Sequence, residues 1–107
     1  MRGPETRLRK KIVKALQEKY PRAYIRKIHG NAFQNIGIAD LLCSIEGYFF
    51  ALEIKIPGKK ATEAQMLEGR RVINSKGVFG VVTSIDETLN LVERGLAWHL
   101  RRKNLRG

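Results

Sequence analysis

Acidic side chains are scarce here: 10 Asp and Glu stand against 21 Lys and Arg in 107 residues, a net charge of +11. That imbalance exceeds the charge of about 2–8 that keeps a small domain soluble. It creates a field for polyanions, nucleic acid first. A membrane surface comes second, because the basic residues are spread along the whole chain. Cysteine is nearly absent as well. The single Cys43 cannot close an internal disulfide and no Cys/His cluster has zinc-ligand spacing, so a reducing, cytoplasmic setting is expected. No apolar run approaches the ~20 residues of a membrane span, and the opening MRGPETRLRKK lacks the apolar stretch of a signal peptide. There are no internal repeats or low-complexity segments. The 43% of hydrophobic residues exclude a disordered chain and suffice for one domain, residues 1–107, with one modest core.

The most informative stretch is IADLLCSIEGYFFALEIKI, Ile38 to Ile56. Glu46-Gly47 is its one turn-like dipeptide and apolar residues crowd both flanks, which reads as a β-hairpin. Centring the hairpin on that turn sets Asp40 opposite Glu53 and Ile38 opposite Lys55. Opposed residues share a face, with Cβ atoms roughly 4.5–5.5 Å apart. Two carboxylates that close repel unless something positive lies between them. Alternation puts Leu52, Ile54 and Ile56 on one face and Ala51, Glu53 and Lys55 on the other. An acid pair with a lysine two residues on points to a divalent metal and an activated water. A one-residue slip in register would send the acids to opposite faces.

Before the hairpin, Pro4 opens a helix whose apolar stripe is Leu8, Ile12, Leu16 and Val13, and Pro21 ends it beyond about Lys19. Glu5 falls in line with that stripe. It has two readings, a carboxylate suited to the positive end of the helix or one aimed at the metal site. Ala23 to His29 reads as a strand, and the glycine-bounded GNAFQNIG, Gly30 to Gly37, as a loop. After Pro57-Gly58, Lys59 and Lys60 place two cations beyond Lys55. Thr62-Glu63-Ala64-Gln65 is a capping box opening a helix that ends near Gly77, with Met66, Gly69, Val72 and Ile73 on its inner arc. Gln65 shares that arc, so it either binds back to the cap or faces the site. VFGVVT, Val78 to Thr83, reads as a strand buried on both faces. Ser84-Ile85-Asp86-Glu87 is a second capping box, with its helix running to about Arg94 and stopped by Gly95. Leu96 to Leu100 fits a short strand or helix, and the tail of about 101–107 is basic and expected to be mobile. The order α-β-β-β-α-β-α predicts an α/β domain, one mixed sheet with helices on its faces.

With Asp40, twelve intervening residues and Glu53-Ile54-Lys55, the chain resembles the PD-(D/E)XK nuclease superfamily, whose core is a restriction-endonuclease-like αβββαβ. Within it the sequence is most similar to VRR-NUC (virus-type replication-repair nuclease) domains. Glu5 stands where that family has its N-terminal acid, and Gly37-Ile38-Ala39-Asp40 resembles its glycine-x-proline-aspartate motif. Glu53-Ile54-Lys55 matches its catalytic strand, and KKATEAQ, Lys59 to Gln65, its linker and glutamine. The likeness spans roughly residues 5 to 92. Ala39 departs from the family's proline, which stiffens the approach to the aspartate but supplies no chemistry.

The resemblance implies a structure-selective DNA endonuclease acting on branched DNA such as four-way junctions or flaps, in a bacterial or phage-infected cell. Asp40 and Glu53 would hold Mg²⁺, or Mn²⁺ in its place, as a site of few protein oxygens requires. By resemblance the Ile54 carbonyl joins them, with Glu5 in or near the metal's coordination shell. Lys55 orients the attacking water and stabilises charge, remaining protonated beside the acids. Gln65 positions Lys55 or a phosphate. Lys59, Lys60, Arg70 and Arg71 suit backbone phosphates. Two symmetric cuts in a junction need two sites, hence a homodimer, with Trp98 or Phe49/Phe50 as interface aromatics. His29 and His99 receive no role. The competing reading is a non-catalytic nucleic-acid-binding module of the same fold, which would bind salt-sensitively without cleaving.

Overall fold

The computed structural model describes residues 3–28 and 36–105. His29 and most of the loop after it therefore lie outside the described residues. The elements are α1 (Pro4–Lys19), β1 (Tyr24–Lys27), β2 (Leu41–Ile45), β3 (Tyr48–Ile54), α2 (Glu63–Asn74), β4 (Val78–Val82) and α3 (Ile85–Leu105). Their order is the one the sequence pattern predicts. The sheet runs β1-β2-β3-β4, antiparallel through the first three strands and parallel between β3 and β4.

The hairpin turn decides the register. Glu46 and Gly47 both have positive φ, 53° and 86°. That is the requirement of the two-residue turn whose twist matches its flanking strands. Ile45 pairs with Tyr48 and Leu41 with Leu52, so the register expected from the sequence holds throughout the hairpin.

One face of the sheet carries the main core. Leu41, Cys43, Ile45, Phe50, Leu52, Ile54 and Val82 pack there with Ile12 and Leu16 of α1 and Val92 of α3. Burial pushes the Cys43 thiol up to about 12, so it packs as a small hydrophobe rather than a nucleophile. Among the described residues the opposite face is covered by α2, through Gly69 and Val72 against Phe79 and Phe49, and by the Gly37–Ala39 segment beside it. This is the face that carries Glu53. Met66 and Ile73, expected on the inner arc of α2, are exposed. The contact instead centres on Gly69, whose missing side chain lets Phe79 lie directly on the helix backbone.

Three expectations need correction. Phe50, proposed as an interface aromatic, is fully buried at the centre of the core, whereas Phe49 and Trp98 are exposed. β4 is flanked by helices on both sides but forms the sheet's edge, so only Val82 is fully buried. Gly95 does not stop α3, which runs through it to Leu105 and takes in most of the basic tail. Gly95 is buried because the helix presses its backbone onto the sheet. A Cβ there would lie 2.8 Å from Phe50 Cε2 and 2.9 Å from Val78 Cγ2. Gly95→Ala is therefore expected to destabilise the domain. Alanine gains about 1 kcal/mol of helix propensity, but overpacking against an immobile ring costs about 1–3 kcal/mol. Urea denaturation checks this, and a raised midpoint would mean the helix can lift off the sheet at little cost.

Candidate active site

Asp40 precedes β2 by one residue and extends its register to Glu53, the penultimate residue of β3. The Asp40 backbone carbonyl accepts from the Ile28 amide at 2.8 Å, which ties the residue to the end of β1. Its Oδ2 accepts from the Ile54 amide at 2.8 Å, locking the carboxylate across the hairpin. Gly37, at φ 82°, makes this approach possible. A side chain there would strike the Ala64 carbonyl at 2.6 Å, so the loop carrying Asp40 nests on the first turn of α2. The glycine of the Gly37–Asp40 motif thus has a packing role that the sequence reading did not assign.

Glu53 is 1% exposed. Its Oε2 accepts from Gln65 Nε2 at 2.9 Å and lies 3.4 Å from Lys55 Nζ. Its Oε1 is buried with no hydrogen-bond partner among the described residues. Burial, and then the charge of Asp40, push the Glu53 carboxyl up to about 7, while Lys55 pulls it back. A buried carboxylate oxygen with no donor is costly unless something positive occupies its lone pairs. Beside a second carboxylate, an oxygen-seeking divalent cation satisfies that requirement, and the all-oxygen donor set fits Mg²⁺ or Mn²⁺.

Gln65 resolves its two readings by doing both. Its Oε1 accepts from the Thr62 amide at 2.8 Å and its own amide donates to Thr62 Oγ1 at 3.1 Å, completing the capping box. Its Nε2 remains free to grip Glu53. The cap of α2 is therefore also the clamp on the buried acid. The second capping box is altered. Ser84 Oγ accepts from the Glu87 amide, but the Glu87 carboxylate reaches back to the amide and hydroxyl of Thr83 rather than to Ser84.

Lys55 is held where the alternation places it, its amide donating to the Val82 carbonyl at 3.0 Å. Lys59 and Lys60 are exposed just beyond, after the Pro57-Gly58 turn. Arg70 and Arg71 are exposed on α2, with Arg71 paired to Glu68 at 3.0 Å. Glu5 is half-buried in the first turn of α1, on the helix that packs against the other face. Among the described residues no third Asp, Glu, His or Cys joins Asp40 and Glu53 in a ligand cluster.

No family model matches the chain, and no curated protein does. Its structure is similar to a solved one described as a VRR_NUC domain, with a TM-score of 0.60 and 23% sequence identity. The match covers 78% of this chain and 92% of that one. The likeness is one of fold. With that VRR_NUC domain structure the chain shares a mixed four-stranded sheet between helices. Among the described residues no helix is long and apolar enough to cross a membrane.

Proposed function

We propose that this domain is a metal-dependent, structure-selective DNA endonuclease that hydrolyses phosphodiester bonds in branched DNA such as four-way junctions or flaps. The observation that carries the reading is the buried Glu53 Oε1, left without a donor beside Asp40. The neighbouring VRR_NUC fold and the +11 charge support the substrate class. A bound Mg²⁺ or Mn²⁺ would neutralise phosphate charge and make a water more acidic. Asp40 and Glu53 would hold the ion, with the Ile54 carbonyl as a further oxygen; Glu5, which joins no ligand cluster with them, would act only from outside that set. Lys55 orients the attacking water and offsets the charge that builds on the phosphate. Gln65 keeps Glu53 aimed by holding one oxygen and leaving the other free. Lys59, Lys60, Arg70 and Arg71 meet backbone phosphates.

The test is incubation with flap, fork, four-way and linear DNA in Mg²⁺, Mn²⁺ or EDTA. Cleavage is expected with either metal, none in EDTA, and a preference for branched substrates. A wild type inert in both metals, or Asp40→Ala and Lys55→Ala proteins as active as wild type, would sink the reading. Two cuts in a junction require two such sites, so the active form is taken to be a homodimer with Phe49 or Trp98 at its interface. Light scattering that shows only monomer, with and without DNA, would count against that.

A further inference from the structure

Among the described residues no strand pairs with the outer side of β4. Val78–Val82 carries no charge and no proline, the devices that keep an exposed edge from pairing. The directions of its backbone groups follow from the register. The Val82 carbonyl accepts from the Lys55 amide, on the β3 side. By alternation Val78, Gly80 and Val82 turn their N–H and C=O groups to β3, so those of Phe79 and Val81 point outward. Among the described residues nothing bonds to these outward groups. The outward amides on either side are already used, Gly77 donating to the Val72 carbonyl and Thr83 to the Glu87 carboxylate. Grooves of about 790 and 660 Å³ run along this edge between β4 and α3. Their charges are sorted. Glu87 lines the end near Val82, Lys76 and Arg101 line the end near Val78, and Arg94 lines both. None of these three cations has a carboxylate partner among the described residues. The exposed Ile73 and Trp98 border the Val78 end.

We propose that this edge binds a second copy of the chain, with the two β4 strands antiparallel about Gly80. The inference deepens the homodimer reading by naming its surface, which keeps Trp98 at the interface and leaves Phe49 out. In this register Phe79 faces the partner's Val81, and each such pair exchanges both of its N–H···O bonds. Centring the pair on Phe79 would set Val81 against the occupied Gly77 amide, and centring it on Val81 would set Phe79 against the occupied Thr83 amide. A one-residue slip would oppose outward groups to inward ones. Gly80 alone therefore uses every free group. The same two-fold axis sets the Val82 end of one copy against the Val78 end of the other, so Glu87 comes opposite the partner's Lys76 and Arg94. The axis stands perpendicular to the sheet, so both copies of Glu53, in register with Val81, stay on one face. With strands about 4.8 Å apart, their backbones lie about 16 Å from one another.

Light scattering over a dilution series gives the mass, and amide hydrogen exchange followed by NMR reads the edge itself. Wild type is expected to be dimeric at high concentration, with the Phe79 and Val81 amides exchanging at least about tenfold more slowly than after dilution to monomer. Val81→Pro removes an outward N–H and no bond to β3, so it should be monomeric with the circular dichroism of wild type. Arg94→Glu places like charges opposite each other and should weaken dimerisation at least about tenfold. E87R/R94E should recover it, because the pair is restored with its signs exchanged. Lys10→Glu, the same kind of reversal on the exposed side of α1, should leave dimerisation unchanged. If V81P fails to fold, Arg94→Glu and its reversal carry the test. A monomer at every concentration, with and without DNA, would overturn the inference. So would a dimer whose Phe79 and Val81 amides exchange as in the monomer, which leaves the homodimer reading to another surface. A dimer protected at β4 that never cleaves DNA in Mg²⁺ or Mn²⁺ would keep this interface and remove the nuclease.

Discussion

Glu53→Gln is expected to lower metal-dependent DNA cleavage by about 10²–10³-fold, the cost of removing one preorganised electrostatic group from an active site. The same substitution should stabilise the metal-free protein at neutral pH. Both outcomes come from one geometry. The Glu53 carboxyl is pushed up to about 7 by burial and by Asp40, above its ordinary 4.5. Between those values the folded state holds a proton that the unfolded chain has lost. The stability this contributes is present below about 4.5 and lost as pH rises through about 7. His99 works the other way, its imidazole lowered by burial and then by Arg102. Its contribution is lost as pH falls. The informative quantity is therefore the difference between wild type and Glu53→Gln in urea denaturation with EDTA, from pH 5 to pH 8. The variant should gain on wild type as pH rises. A difference that stays flat would mean Glu53 is solvated and poorly suited to await a cation.

Phe50→Ala should cost about 3–5 kcal/mol, the range for emptying a large aromatic site in a core. Domains of this size have only about 5–15 kcal/mol in total, so the variant should sit close to unfolding at physiological temperature. Phe50 is fully buried among the core side chains, and α3 closes over its ring at Gly95. Its neighbour Phe49 is 43% exposed on the other face, and Phe49→Ala should cost only about 1 kcal/mol, in proportion to its partial burial against α2. The urea midpoints of the two variants check this. Similar losses would mean the hairpin presents both faces to packed interiors.

The contrast between adjacent phenylalanines shows what the chain spells out and what it does not. Alternation around Glu46-Gly47 was legible because a two-residue turn with positive φ at both positions admits few registers, and Asp40 and Glu53 followed from it. The same alternation separates Phe49 from Phe50, since Phe50 shares parity with Leu52 and Ile54, yet both were expected at an interface because the parity was applied only from Ala51 onward. Gly95 was misread because a glycine at close approach and a glycine at a helix end look alike in sequence. The continuing spacing of Thr88, Val92, Gly95 and His99, all buried, was the signal that the helix goes on. Gln65 was read as either cap or site residue, yet an amide has two ends and each found its own partner. Glu5 illustrates the converse. Its alignment with Leu8 and Ile12 fixed its side of α1, but not its distance from Glu53, which depends on how the helix crosses the sheet.

Asp40 and Glu53 are proposed to share one divalent cation. Anomalous diffraction from crystals soaked in Mn²⁺ tests it most directly, independent of any DNA or any activity. The expected result is an anomalous peak in contact with both carboxylates, at roughly 2.0–2.2 Å as for small oxygen-ligated divalent ions, and lost in crystals of Asp40→Ala. Saturating Mn²⁺ with no peak between Asp40 and Glu53 would contradict it.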